Sequence, residues 1–301
     1  MNIGVVVVTH NRLEKLKKCL KAYDEQTYQP MFILIVDNCS TDGTAKYLKE
    51  WQGCSSASTY QRYVIRNSIN TGGAGGFALG IESALSLNAD WIWLGDDDAY
   101  PEADCLLQIA DFYKKLPYDE VSKIAAVCGK VVDNNGISSP HRRILCKKKL
   151  QVREIPLNGT EYLAPWINID LFSFVGTAIR KDIICQIGLP REDYFIFYDD
   201  SEYSLRIREK WEIKCIPSAV ILHDSLENAP LQYTWKNYYM FRNKMYTYKI
   251  YFSRWYYFVE QLKTIYMIFK HYNKLSSWQQ FYYAWNDARK EKLGKCTKYM
   301  P

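Results

Sequence analysis

A chain of 301 residues with 48% hydrophobic and 15% aromatic residues can bury a substantial core, which excludes an intrinsically disordered protein. Its nine cysteines form no CxxC pair, its first residues lack the pattern of a secretory signal, and no run approaches the roughly 18 apolar residues of a membrane span. We therefore expect a cytoplasmic protein, and neither a disulfide scaffold nor a zinc protein. The formal net charge of +6 is uneven, because residues 231–301 hold 13 Lys/Arg and 3 Asp/Glu, while residues 1–230 hold 26 and 30.

Strand and helix patterns alternate through the first hundred residues. Short apolar runs predict strands at 3–8, 32–36, 63–66 and 91–94. Helical patterns follow them from Leu13, with Asn11 as the expected cap, at 45–51 and at 77–87, and a loop is expected at 53–59. Such alternation predicts a doubly wound α/β sheet, whose ligands bind at the carboxyl ends of the strands.

The pattern is less regular in the second half of the chain. Helices are expected at 102–115, 181–188 and 199–208, and strands at 124–130, 171–179, 195–198 and 219–222. Residues 133–165 are basic and are expected to be an irregular, exposed excursion. From Tyr233 onward, aromatic and basic residues predict two or three helices, and the change in composition places a boundary near Pro230.

Three adjacent acids, Asp96, Asp97 and Asp98, follow the strand expected at 91–94. Carboxylates this close repel one another unless a cation or solvent takes up the charge. Alternate residues of an extended chain point the same way, so Asp96 and Asp98 can share one hard ion such as Mg²⁺ or Mn²⁺. A solvated acidic turn before Pro101 is the alternative.

Two further polar features follow strands of the second half. Asp199 and Asp200 precede a helix, where the alternative is simple charge at a helix N-terminus, and His223 ends an apolar strand, where the alternative is a buried structural histidine. The carboxyl ends of parallel strands share one edge of a sheet, so these residues are expected to converge with the acidic triplet. Their convergence would make a catalytic metal site.

Asn70 to Gly76 holds four glycines before a helix and can cradle a phosphate. A dinucleotide fingerprint should follow the first strand, whereas these glycines follow the third. A nicotinamide-dependent enzyme is therefore disfavoured.

Together these motifs resemble family 2 glycosyltransferases of the GT-A fold. The resemblance covers residues 1–225 and rests on five segments, which are 5–12, 36–44, 70–77, 96–98 and 197–206. Within the family, the motifs are most similar to those of bacterial galactofuranosyl- and rhamnosyl-transferases. The fold implied is a Rossmann-like α/β domain with a mixed central sheet flanked by helices.

The resemblance also implies domain limits and a reaction. The GT-A catalytic domain would span residues 1–229, with a nucleotide-sugar half at about 1–100 and an acceptor half at about 101–229, before the helical region 230–301. The reaction would be inverting transfer of galactofuranose from UDP-galactofuranose, or secondly of rhamnose from dTDP-rhamnose, to a bacterial cell-surface polysaccharide or lipid-linked glycan. A sugar-nucleotide-binding or membrane-docking protein without turnover is the alternative.

Each cluster receives a role from the resemblance. Eight residues would contact the donor's nucleotide and sugar: Thr9, Arg12, Asp37, Asn70, Gly72, Gly73, Asp96 and Asp97. Asp96, Asp98 and His223 would hold a Mn²⁺ or Mg²⁺ ion that bridges the donor diphosphate. Asp200 matches the catalytic base, and Asp199 would orient the acceptor or that base.

Aromatic residues offer two further hypotheses. Trp166, Phe172 and Phe174 lie near the expected base and are candidates for an acceptor platform, with core packing as the alternative. The aromatic, basic segment 231–301 is expected to contact the inner face of a bacterial membrane, where a lipid-linked acceptor would lie. Packing on the catalytic domain or a homo-oligomer contact is the alternative, and the segment matches no nucleic-acid recognition motif.

Overall fold

The computed structural model describes residues 1–53, 59–133, 135–137, 141–224, 234–271 and 274–300. Within these residues the strands, in chain order, are β1 (Ile3–Thr9), β2 (Phe32–Asp37), β3 (Gln61–Arg66), β4 (Trp91–Asp96), β5 (Ala99–Pro101), β6 (Ile124–Asp133), β7 (Gly136–Ile137), β8 (Arg142–Lys148), β9 (Gln151–Pro156), β10 (Ile167–Ile169), β11 (Leu171–Phe172), β12 (Thr177–Arg180) and β13 (Glu212–His223). The α-helices are α1 (Leu13–Asp24), α2 (Thr44–Gly53), α3 (Gly72–Ala84), α4 (Cys105–Lys115), α5 (Tyr118–Val121), α6 (Lys181–Ile187), α7 (Asp199–Arg208), α8 (Lys236–Tyr251), α9 (Arg254–His271) and α10 (Leu275–Arg289).

A mixed central sheet has the strand order β10-β13-β6-β12-β4-β1-β2-β3, with β5 beside β13 and β7 beside β6. Strand β12 runs antiparallel to both β4 and β6, so β6 and β13 run in the same direction as β1 to β4. The carboxyl ends of these six strands therefore lie along one edge of the sheet. The mixed sheet and flanking helices implied by the resemblance are confirmed.

Glycines bring helix α3 unusually close to β1. A Cβ atom added to Gly76 would lie 2.6 Å from Val8 Cγ1, and one added to Gly80 would lie 2.4 Å from Val6 Cγ1. Larger residues at these two positions would push the helix away from the sheet. Because neither position carries a larger residue, the N-terminus of α3 can lie beside the carboxyl end of β1.

The segment 133–165 is not an irregular excursion, which corrects the sequence prediction. Strands β8 and β9 form a hairpin that pairs with β11 in a second, three-stranded sheet. Arg142 is buried, and its guanidinium donates to the carbonyl oxygens of Gly129, Val175 and Gly176. The positive charge of this segment suggested that it is exposed to solvent. Inside the protein, however, backbone carbonyl oxygens accept the hydrogen bonds of Arg142.

Two other stretches differ from the expected strands. The run 171–179 divides into β11 and β12, because the chain turns at Gly176, whose φ is +68°. The aromatic run 195–198 is not a strand, since Phe195, Phe197 and Tyr198 have φ angles of 65°, 66° and 67°. Side-chain hydrophobicity predicted an extended chain there, and tertiary contacts impose a left-handed one.

The structure also corrects the predicted start of α3 and the predicted cap of α1. Helix α3 begins at Gly72, five residues before the expected start at 77, so the glycines form its first turn. Asn11 does not cap α1, because its Oδ1 accepts from the Thr41 N–H at 2.7 Å. Asp42 Oδ2 instead accepts from the Leu13 N–H at 3.0 Å, so a residue from the second polar turn caps the first helix.

The C-terminal residues form α8, α9 and α10, which agrees with the two or three helices expected. The proposed boundary near Pro230 lies outside the described residues, as do residues 54–58 of the expected loop. No helix in the described part of the chain is both long and apolar enough to cross a membrane.

Candidate functional site

The acidic triplet and His223 meet because of a short strand that the sequence did not predict. Asp96 ends β4, and the chain turns directly into β5, whose Ala99 pairs with His223 at the end of β13. Ligand atoms of Asp96, Asp98 and His223 all lie within 4.8 Å of one another, and His223 Nε2 is 3.4 Å from Asp98 Oδ1. The three expected metal ligands are thus brought together.

The chemistry of this cluster fits a divalent cation. Burial raises the pKa of Asp96 to about 7, and the charges of Asp98 and Asp97 add to that effect. Burial also opposes ionisation of Asp98, but His223 and the positive charge of Arg12 lower its pKa overall. Two carboxylates and an imidazole provide oxygen and nitrogen ligands that suit Mn²⁺, and a bound cation would relieve the repulsion between the acids.

Asp97 faces the end of β1 and is held there by two residues of the first polar turn. Thr9 Oγ1 donates to Asp97 Oδ2 at 2.7 Å, and Arg12 Nη1 lies 3.2 Å from Asp97 Oδ1 and 2.7 Å from Asp98 Oδ2. Lys15 Nζ adds a second cation 3.5 Å from Asp98 Oδ2. Sequence reasoning missed Lys15, although its position one helical turn after Arg12 was a usable signal.

Asp37 ends β2 and is completely buried. Its Oδ1 accepts from the Ser40 N–H at 2.9 Å, and Arg66 Nε lies 3.4 Å from Oδ2. Oδ2 itself has no hydrogen-bond partner within the described residues. A buried acceptor without a donor can receive an N–H group of a ligand.

Asn38 connects this turn to the glycine run and was missed from the sequence. Its Oδ1 accepts from Asn67 Nδ2, from the Thr71 N–H and from Thr71 Oγ1, at 3.0 to 3.1 Å. Its Nδ2 donates to the Gly72 carbonyl at 2.8 Å and to Asn70 Oδ1 at 3.2 Å. One buried amide therefore fixes Asn70 and Gly72 against the end of β2.

Gly72 touches the segment that carries the second acidic pair. Its φ is +73°, and an added Cβ would lie 2.0 Å from the Phe195 carbonyl oxygen. The same oxygen accepts from the Ala74 N–H at 3.0 Å. Only glycine permits this approach. By contrast, a Cβ at Gly73 would have no neighbour within 4 Å in the described structure, so this position faces open space.

Helix α8 holds the aromatic segment that precedes Asp199. Asn243 Nδ2 donates to the carbonyl oxygens of Tyr194, Ile196 and Phe197 at 2.8 to 2.9 Å. Arg242 Nη2 also donates to the Tyr194 carbonyl, at 3.1 Å. Both side chains are buried, so they stabilise a backbone whose left-handed residues are otherwise costly. The Arg-Asn pair among aromatic residues was visible in the sequence, but its target was not.

Asp199 and Asp200 begin α7, and the residue at its N-cap, Tyr198, makes no side-chain capping hydrogen bond within the described structure. Burial, the adjacent Asp200 and the charge of Asp96 raise the pKa of Asp199 well above its usual range. Burial also raises the pKa of Asp200, while Arg143 and Ser201 act to lower it. Asp200 Oδ1 accepts from Ser201 Oγ at 2.9 Å.

Arg143 lies beside Asp200. It belongs to the segment 133–165, which the sequence predicted to be irregular. Its Nη2 donates to Ser201 Oγ at 2.7 Å, and its Nη1 donates to Glu154 Oε2 at 2.6 Å. Tyr198 OH donates to the other oxygen of Glu154 at 3.0 Å. The β8–β9 hairpin therefore supplies the charged surroundings of the second acidic pair.

His141 packs against His223 and was given no role from the sequence. The two rings meet edge to face with centroids 4.9 Å apart. The His141 Nδ1 atom is 2.8 Å from Ser173 Oγ. Burial and the neighbouring Arg142 lower the pKa of His141, so a neutral ring supports His223.

The expected acceptor platform is corrected. Phe172 and Phe174 are only 0% and 4% exposed and pack in the core, where Phe174 contacts Phe77 and Tyr203. Phe172 and Phe174 alternate along the chain and so were expected to share one accessible face. Helices cover both faces of the sheet, however, so that face is buried. Trp166 is 41% exposed, but its ring lies over Lys214 near the start of β13, away from the end that carries His223.

Residues 4–187 match the sequence profile of the family described as Glycosyl transferase family 2. Over 207 residues the chain is 33% identical to galactofuranosyltransferase GlfT1 of Mycobacterium tuberculosis, a match that covers 68% of this chain and 64% of that protein. The match thus spans slightly less than two thirds of that relative's length.

Two solved structures share the fold. One is GalNAc-T7 with UDP, GalNAc and Mn²⁺, at 14% identity and a TM-score of 0.64, covering 85% of this chain and 49% of that one. The other is TarS 1–349 of S. aureus in complex with UDP-GlcNAc, at 16% identity and a TM-score of 0.62, covering 96% and 80%. The architecture is the GT-A fold, and the chain belongs to glycosyltransferase family 2.

Proposed function

We propose that the protein is an inverting, divalent-metal-dependent glycosyltransferase that moves galactofuranose from UDP-galactofuranose to a hydroxyl of a bacterial lipid-linked glycan or cell-surface polysaccharide. The observation that carries the proposal is the meeting of Asp96, Asp98 and His223 at the carboxyl edge of the sheet. The charge of Asp96 also acts on Asp199, which begins α7 with Asp200 beside it. The name of the mycobacterial relative favours galactofuranose over rhamnose as the sugar.

The donor half binds the nucleotide through groups that end β1, β2 and β4. Asp37 Oδ2 accepts an N–H of the uracil ring, because it is buried and, apart from its ion pair with Arg66, forms no hydrogen bond in the described structure. Arg12 and Lys15 lie beside Asp98 and face the donor's charged diphosphate. Asn70, Gly72 and Gly73 line the ribose and sugar, where open space at Gly73 admits the ligand.

Asp96, Asp98 and His223 would hold the divalent ion, which would offset charge on the leaving diphosphate and contribute on the order of several kcal/mol. Asp200 accepts the proton of the acceptor hydroxyl as that oxygen attacks, typically contributing about 10²–10⁴-fold. Asp199, whose pKa is raised well above its usual range by burial and by the adjacent Asp200, orients the acceptor or that base. A single base with direct displacement inverts the anomeric carbon.

The acceptor approaches from a membrane surface that contacts α9. Five apolar side chains of this helix form an exposed stripe at spacings of three and four residues, which are Trp255, Phe258, Leu262, Ile265 and Phe269. Each is between 38% and 64% exposed. Arg254 and Lys270 on the same helix supply positive charge that suits the anionic inner leaflet of a bacterial membrane.

A screen of nucleotide sugars tests this function. With Mn²⁺, UDP-galactofuranose should be hydrolysed slowly without an acceptor, and a chelator should abolish that turnover. Asp98→Ala should lose the Mn²⁺ effect on UDP affinity, while Glu14→Ala, a change to an exposed acid on α1, should keep it. Binding of UDP-sugars with no turnover would favour the non-catalytic alternative, and turnover unaffected by chelator would contradict the metal site.

A further inference from the structure

A basic cleft lies beside Arg143, whose guanidinium donates to Ser201 next to Asp200. It has a volume of about 280 Å³ and lies between the β8–β9 hairpin and helices α8 and α9. Its lining residues are Arg143, Arg153, Glu154, Pro156, Lys244, Tyr248 and Lys263. None of these residues belongs to the donor site described above.

The cleft carries an excess of positive charge. Its four cations face three carboxylates, which leaves a net charge of +1: Glu154 in the wall, the buried Glu260, and Asp200, whose charge acts on Arg143. Glu260 lies 2.5 Å from Lys244 Nζ and 2.7 Å from Lys263 Nζ. Arg153 is exposed and has no side-chain hydrogen bond or ion pair among the residues that the structure describes. An anion is the ligand that such a cleft favours.

The position of the cleft indicates which substrate would carry the anion. Arg143 links the cleft to the catalytic base, because Ser201 Oγ lies 2.7 Å from Arg143 Nη2 and 2.9 Å from Asp200 Oδ1. The donor's diphosphate already has its place beside Asp96, Asp98 and His223. An anionic group in the cleft therefore belongs to the molecule whose hydroxyl meets Asp200.

Helix α9 borders the cleft and carries the exposed apolar stripe on an adjoining face. Lys263 of α9 lines the cleft, and its chain neighbour Leu262 belongs to the exposed stripe of that helix. Lys263 Nζ also donates to the Val152 carbonyl at 3.3 Å, which ties α9 to the hairpin. Lys263 and Leu262 point about 100° apart around α9. With the stripe in a membrane, Lys263 would therefore lie at the level of the lipid head groups, where a lipid-borne phosphate is found.

We propose that the cleft formed by Arg143, Arg153, Lys244 and Lys263 binds the phosphate or diphosphate of an acceptor carried on a lipid. This inference rests on the proposed glycosyl transfer and names the class of its acceptor. The sugar attached to the diphosphate would then reach Asp200, and the lipid would follow α9 into the membrane.

Octyl diphosphate is the probe for this cleft, titrated by calorimetry against the full chain without donor or divalent ion. The wild-type protein should bind it, and Arg153→Gln/Lys263→Gln should weaken binding at least tenfold. Arg153→Lys/Lys263→Arg, which keeps both charges, should restore binding. Lys18→Gln/Lys49→Gln removes two exposed charges from α1 and α2 and should leave binding as in the wild type.

Any of three results with octyl diphosphate would overturn the inference: no binding, equal binding by the wild type and the Gln variant, or equal loss in the α1/α2 control. Inorganic pyrophosphate distinguishes a lipid-borne anion from a free one. It should bind more weakly than octyl diphosphate, and equal affinity would contradict the lipid source. UDP titration with Mn²⁺ on the same samples separates the two proposals. If the wild type does not bind UDP, the proposed donor site is wrong. If it binds UDP but not octyl diphosphate, the proposal for the cleft is wrong.

Discussion

Asp200 is surrounded by groups that act on its charge in opposite directions. Burial raises its pKa, whereas Arg143 and the hydrogen bonds from Ser201 lower it. A general base works only in its ionised form, so turnover should fall as the pH falls through the pKa of Asp200. We therefore expect the residues around this proposed base to set the acidic limit of activity.

Arg143→Gln removes one of the groups that lower this pKa. The pKa of Asp200 should then rise further, and the acidic limb of the pH profile should move to higher pH. The measurement is the pH dependence of kcat/KM for donor turnover. Arg208→Gln is the control, since Arg208 pairs with Asp170 and should leave the limb in place. A limb that stays in place or moves to lower pH in Arg143→Gln would remove Arg143 from this role.

Sequence reasoning found the acids of the site but not their supporting residues. Asp37 and Asp96 end strands β2 and β4, and His223 ends β13, so strand order alone predicted that they share an edge. Arg143 meets Ser201 across 58 residues of chain, and Asn243 meets Phe197 across 46. Such contacts depend on how whole elements pack, which no local pattern specifies.

At the scale of elements, helix α8 determines the conformation of the chain that enters α7. One amide, Asn243 Nδ2, satisfies three carbonyl oxygens of a segment that contains three left-handed residues other than glycine. The segment leads directly to Asp199 and Asp200. The C-terminal helices are thus part of the architecture of the site.

Asn243→Ala should lower kcat at least tenfold, because the freed segment no longer holds Asp200 in place. The affinity for UDP with Mn²⁺ should change much less, since its proposed ligands lie on other elements. Steady-state kinetics and UDP titration measure the two effects separately. Asn237→Ala, near the start of the same helix, is the matched control and should keep its kcat. An unchanged kcat in Asn243→Ala would show that the segment keeps its shape without this amide.

Some elements were predictable only in outline. The helical nature of residues after 233 followed from periodicity, and the central strands followed from apolar runs. The hairpin β8–β9 was missed because its strands combine arginines and lysines with apolar residues, and Arg142 is buried by backbone carbonyls rather than by a carboxylate. Short strand β5 was missed because three residues after an acidic turn carry no pattern.

At the scale of the whole molecule, the apolar stripe of α9 is expected to contact an anionic membrane. Burial of each large apolar side chain contributes about 1.5–3 kcal/mol, and each nearby basic residue adds about 1 kcal/mol. Leu262→Glu/Phe269→Glu should therefore reduce the bound fraction at least tenfold in flotation with vesicles of phosphatidylglycerol and phosphatidylcholine.

A matched change elsewhere controls for added negative charge. Met31→Glu/Leu163→Glu alters two exposed apolar residues outside α9 and should float like the wild type. Equal flotation of the two double variants would contradict membrane contact through the stripe. If the stripe pairs two copies instead, its substitution would lower the sedimentation mass and leave flotation unchanged.

The central claim is that Asp200 is the base of a sugar transfer whose donor is held elsewhere in the site. The direct measurement is donor turnover and UDP affinity, both with Mn²⁺, in Asp200→Asn and the wild type. The amide keeps the size of the side chain but cannot accept the proton, so turnover should fall by about 10²–10⁴-fold. UDP affinity should remain close to that of the wild type. Near-normal turnover in Asp200→Asn would contradict the account.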